Sequence, residues 1–124
     1  MRLSQYTLYS IICIYIAVGY FYYPKYNKFQ TESTISWDIS GYYLYLPATF
    51  IYHDIKQLNF KDSLIQKYVG SGDQAFRGPN GNWVMKYPMG LAICYLPAFT
   101  TAHIAAKLLH YEADGFSLPY QFCL

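Results

Sequence analysis

Charge is what this 124-residue chain has least of: only 13% of its residues are charged, and its formal net charge is +2. A soluble domain carries about a quarter charged residues, so roughly half the usual polar coat is missing. The small positive balance gives no electrostatic case for nucleic acid. Cysteine is equally sparse. Cys13, Cys94 and Cys123 sit among apolar residues without metal-ligand spacing, and their odd number argues against a disulfide framework. No internal repeat divides the chain. What fills it instead is apolar (54%) and aromatic (21%), with 16 tyrosines. Rings with a polar tip suit a chain that meets the bilayer interface repeatedly.

Two uncharged runs stand out. The first, residues 6–23, YTLYSIICIYIAVGYFYY, is long enough to cross about 30 Å of hydrocarbon at about 1.5 Å per residue. It ends in bulky rings before Pro24 rather than in small residues, which reads as a retained span and not a cleaved signal. The second, residues 87–106, YPMGLAICYLPAFTTAHIAA, has Pro88 in its first turn and Pro97 in its middle, where a kink is expected. Near its far end, Lys107 can snorkel to the interface. His103 is read as a helix-end histidine bonded to a neighbour, with a polar pathway as the sharper option.

The expected organisation is therefore all-α, a polytopic membrane fragment. It comprises a first transmembrane helix with a short N-terminus (1–23), an extracytoplasmic loop (24–86), a second transmembrane helix (87–109), and a turn leading into a third span (110–124). Within the loop an amphipathic interfacial helix is expected at about 42–58, YYLYLPATFIYHDIKQL, with Asp38 or Ser40 capping its start and Pro47 in its first half suggesting a bent or two-piece helix. A second short helix, 62–69, should stop at Gly70. The Gly-rich stretch 70–83 reads as a loop. Because Leu118–Leu124 looks like the opening of another span, the chain reads as the front piece of something longer. Charge leaves the orientation open, since a loop this long lies at the limit of the positive-inside rule.

The most informative string runs from Ser36 to Ala48, SWDISGYYLYLPA. It sets a carboxylate at headgroup depth beside paired tyrosines, Tyr42 and Tyr43. Read from the residues alone, capping is the simpler role for Asp38. The chemical one is general base toward an acceptor hydroxyl, or ligand to a divalent cation, where a lipid-linked phosphate would lie.

The order of span, W-D-x-S-G-Y-Y-x-Y-L-P-A (37–48), Gly-rich loop and K-Y-P-M-G-L-A-x-x-Y-L-P-A-F (86–99) resembles the amino-terminal part of bacterial GT-C membrane glycosyltransferases. This is the group related to protein O-mannosyltransferases and lipid A aminoarabinose transferases. The resemblance covers nearly the whole chain, and full members have many more spans. It implies sugar transfer from a polyprenyl-phosphate donor at the outer face of the inner membrane, with loop 24–86 outside the cytoplasm. Remaining spans, or a partner chain, would complete the fold. Asp38 matches the family's acid, as base or metal-associated group. Ile39 follows it where many members carry a second acid, so no metal or other cofactor is assigned. Tyr42, Tyr43, Asp54, Arg77 and Lys86 are the candidate substrate contacts. Asp54 is a second carboxylate beside His53; Arg77 and Lys86 flank the Gly-rich loop, where they could meet a phosphate. Each of these charges has a plainer reading as ordinary interface charge. The alternative function is a small non-enzymatic membrane scaffold or accessory subunit, its aromatic helix packed on lipid or a partner.

Overall fold

The computed structural model describes residues 2–21, 25, 28, 32–70 and 74–124. Among the described residues, six helices and one hairpin follow in order: α1 (Arg2–Phe21), α2 (Trp37–Tyr43), α3 (Tyr45–Phe50), α4 (Lys61–Leu64) continuing into a π turn (Ile65–Val69), β1 (Ala75–Arg77), β2 (Trp83–Met85), α5 (Gly90–Leu108) and α6 (Leu118–Cys123). The protein is mostly helical, and α5 is long and apolar enough to cross a membrane. In α1 the side chains from Gln5 to Phe21 are all exposed, so no face of this apolar helix is covered by protein. Of the ring-rich end of the first run, residues 19–24, residues 22–24 lie outside the described residues.

The interfacial helix expected at 42–58 forms in two pieces, as Pro47 suggested, but ends well short of residue 58. Pro47 has no N–H to offer the carbonyl of Tyr43, and the helix breaks at Leu44 into α2 and α3. α3 then stops at Phe50, where Ile51 and Tyr52 both donate to the Pro47 carbonyl at 3.0 Å and His53 turns left-handed (φ 51°). The helix begins earlier than expected, at Trp37, so Asp38 lies in its first turn and makes no side-chain cap. The short helix expected at 62–69 forms as Lys61–Val69, and Gly70 (φ 62°) ends it, donating to Ile65 at 2.8 Å.

All-α is also incomplete. Within the Gly-rich stretch, β1 and β2 pair antiparallel, with Ala75 opposite Met85 and Arg77 opposite Trp83. Gly78 and Asn82 close the hairpin with a 2.8 Å bond, and Gly81 supplies the left-handed turn (φ 79°). Residues 71–73 of that stretch lie outside the described residues.

The core forms where α2 and α3 lie along α5 and α6. Tyr43, Leu44, Phe99, Phe116 and Tyr120 are buried there. The Tyr43 ring meets Phe116 edge-on (5.4 Å, 88°), and its hydroxyl donates to the Gly115 carbonyl at 2.6 Å. Gly115 has φ 91°, and a Cβ on it would stand 2.8 Å from Cβ of Pro47, so glycine is required twice over. On α5 the buried residues are Ala92, Phe99, Ala102 and Ala106, one stripe at helical spacing. Thus α6 folds back onto α5: Pro119, Tyr120 and Gln121 are buried, and His103 Nδ1 finds its neighbour in the Tyr120 hydroxyl at 2.6 Å.

Segment 33–87 makes contacts at both ends of α5. It runs along α5, with Tyr45 bonded to Tyr87 before the helix and Lys67 bonded to Glu112 beyond it.

Candidate functional site

Asp38 is exposed on the first turn of α2, and its Oδ1 accepts a hydrogen bond from the Tyr87 hydroxyl. Tyr87 comes from the turn that leads into α5, 49 residues away in sequence. Three contacts hold it there. The Tyr45 hydroxyl donates to its carbonyl at 2.6 Å, and the Tyr42 ring stacks on its ring at 4.4 Å and 27°. Beneath it, Gly41 has no side chain: a Cβ there would stand 2.5 Å from Cδ2 of Tyr87 and 2.9 Å from Oε1 of Gln74. One turn of α2 thus supplies a carboxylate, a stacking ring and the gap between them, because residues 38, 41 and 42 share one face.

Lys86 adds the positive charge. Its Nζ lies 5.0 Å from the Tyr87 ring centroid. The Tyr87 hydroxyl, and more weakly Asp38, hold its ammonium above the ordinary lysine range. Its backbone N–H donates to the Gln74 carbonyl at 2.9 Å, which fixes the hairpin base beside α2. Gln74 is itself buried, and among the described residues its Oε1 has no hydrogen-bond partner. Trp37, exposed next to Asp38, opens α2 with a left-handed backbone (φ 46°), a conformation that is uncommon for so large a residue.

Of the six residues singled out by sequence, the fold brings Asp38, Tyr42 and Lys86 together. The other three serve elsewhere. Tyr43 follows Tyr42 by about 100° around the helix and is buried in the core, its hydroxyl donating to Gly115. Asp54 shapes the 54–59 turn: Oδ1 accepts from Gln57 N–H, Oδ2 from both amides of Asn59, all at 2.9 Å. The Asn59 amide above all holds its carboxyl below the usual range. Arg77 belongs to the hairpin, 5.0 Å from the Trp83 ring and bonded to the Gly81 carbonyl at 3.2 Å. Tyr87, Gly41 and Gln74 were not singled out. Tyr87 and Gly41 do lie inside the two strings that carry the resemblance, but their meeting depends on tertiary packing.

Among the described residues no three His, Cys, Asp or Glu side chains gather where an ion could be held. The polar neighbours of Asp38 among the described residues are the Tyr87 phenol and the Lys86 ammonium. Chemically, the cluster offers a solvent-facing carboxylate oriented by a phenol, with a fixed cation alongside and aromatic surface next to both. Family models, curated proteins and solved structures were compared with the chain, and none matches it.

Proposed function

We propose that the chain is the amino-terminal part of an integral membrane glycosyltransferase of the bacterial inner membrane. It would move a sugar from a polyprenyl-phosphate donor to an acceptor at the outer face. The observation that carries this reading is the bond between Asp38 and Tyr87, because it joins the two strings on which the resemblance rests. In the reaction, Asp38 takes the proton of the acceptor hydroxyl while that oxygen attacks the anomeric carbon. The bond from that carbon to the phosphate oxygen breaks, its electron pair leaves on the phosphate, and configuration inverts. Tyr87 occupies one carboxylate oxygen and so turns the other toward the acceptor. Lys86 is the nearest cation to receive the charge of the departing phosphate. Tyr42 and Tyr87 offer a stacked aromatic surface to the sugar or the lipid stem. The exposed apolar side chains of α1 suit a helix embedded in lipid.

The test is Asp38→Asn in membranes containing the full-length protein, supplied with polyprenyl-phosphate-linked pentose and hexose. Transfer should fall by at least a hundredfold with expression and membrane insertion unchanged. Unchanged turnover would reduce Asp38 to a structural residue and leave the non-enzymatic scaffold as the better reading.

A further inference from the structure

We infer that α5, for all its span-like composition, does not cross the bilayer but lies along it, one face on the protein core and the other on lipid. Both ends of the helix are tied to the same polar segment. Before it, Tyr87 is held by Tyr45 and Asp38. After it, Glu112 accepts from Lys67 Nζ at 2.6 Å and from the Tyr68 hydroxyl at 3.3 Å, and Asp114 accepts from Tyr52 at 3.2 Å through its carbonyl. Nineteen helical residues rise about 28 Å, close to the thickness of the hydrocarbon core. A crossing α5 would therefore draw segment 33–87 through the membrane beside it. That segment exposes Lys56, Asp62, Lys67 and Arg77 and contains irregular backbone between α3 and α4, neither of which tolerates lipid.

Lying flat, α5 has the composition it needs. The Ala92–Phe99–Ala102–Ala106 stripe faces the core, while Leu91, Ile93, Ile104 and Leu108 are exposed on the rest of the helix. A helix placed between a protein core and a bilayer is apolar on both sides, as a span is. The exposed threonines fit this surface because their hydroxyls are turned inward: Thr100 bonds the Leu96 carbonyl and Thr101 the Pro97 carbonyl, both at 2.9 Å. Lys86 and Lys107 bracket the helix at headgroup level, and no charge lies between them. The occupant is lipid, because the apolar surface continues from Ala105 and Leu109 at the end of α5 to Phe122 of α6, which in turn faces α1. Across an open cleft of about 510 Å³, Tyr15, Ile16 and Tyr20 of α1 face Phe122 and Leu124 at the end of α6. α1 is then the single span of the described chain, and residues 33–117 all belong to one side.

The inference stands apart from the proposed reaction, and one experiment separates them. Cys13, Cys94 and Cys123 are replaced by serine, and single cysteines are placed at Asn80→Cys and His110→Cys. Intact cells are then labelled with a membrane-impermeant maleimide, with lysed cells as the reactivity control. Labelling of both sites in intact cells is expected. Protection of both until lysis would still keep α5 on one side while overturning the outer-face enzyme. Labelling at one site with protection at the other would mean that α5 crosses, and would overturn the inference without touching the reaction. A nitroxide at Ile104→Cys in reconstituted protein tests the occupant. It should collide more with oxygen than with a water-soluble nickel chelate; preference for the chelate, or shielding from both, would overturn the lipid assignment.

Discussion

Gly41 and Tyr87 occupy adjoining halves of one space. The absence of a Cβ on α2 is what allows a ring from the α5 side to reach Asp38. Replacing this glycine by alanine places a methyl group 2.5 Å from Cδ2 of Tyr87. Ring displacement or a shift of α2 should cost about 1–3 kcal/mol. The Gly41→Ala protein should still fold, as seen by a cooperative thermal melt, yet transfer should drop tenfold or more. A variant with full activity and unchanged melting would show that the contact between Tyr87 and Asp38 is dispensable.

Tyr43 separates stability from chemistry. Tyr43→Phe keeps the edge-on packing against Phe116 but removes the donor to the buried Gly115 carbonyl. Leaving that acceptor without a partner should cost about 1–3 kcal/mol. Burial, together with the nearby Tyr120 and Asp114, already holds this phenol well above its ordinary range, so it acts as a neutral donor at any physiological pH. Denaturant unfolding should reveal the loss, whereas turnover per folded molecule should not change. A fall in turnover without a fall in stability would return Tyr43 to the substrate contacts.

Acid should weaken the tie at the far end of α5. The Lys67 ammonium beside Glu112 keeps the glutamate below its ordinary range. Because the folded-state value is the lower one, the contribution is fully present above about pH 4.5 and disappears as pH falls through the folded-state value. Both side chains are solvent-exposed, so the effect is modest and weakens with salt. The melting temperature of Glu112→Gln should therefore show a smaller drop between pH 6 and pH 3 than that of the parent. Identical acid profiles would remove the ion pair from the account.

Some of this was legible in the amino-acid string because it follows from local rules. Gly70 ends its helix where a left-handed residue was called for, and the string 37–48 does hold the exposed acid. Other features depended on partners distant in sequence. Tyr42 and Tyr43 look interchangeable until one packs on Tyr87 and the other on Phe116, a choice made by the direction of α2 against α5. The hairpin is hard to read because three-residue strands leave no measurable alternation, and it is braced by Lys56, Lys61 and Gln74 as well as by its own residues. Pro47 was visible in sequence, but how far it would shorten the helix depended on the left-handed turn at His53. α5 shows the deeper ambiguity, since an all-apolar helix satisfies two environments and only the ties at its ends tell them apart.

The amide of Ile35 is satisfied by Oε1 of Gln121 at 2.8 Å, a partner 86 residues further along the chain. During synthesis at about 5–20 residues per second, the first of these groups waits roughly 4 to 17 seconds for the second. Throughout that interval Tyr43 and Leu44 have no Phe116 or Tyr120 to cover them. The ribosome-bound chain must therefore carry its aromatic half-core uncovered, next to the nascent α1, until α6 emerges and closes it.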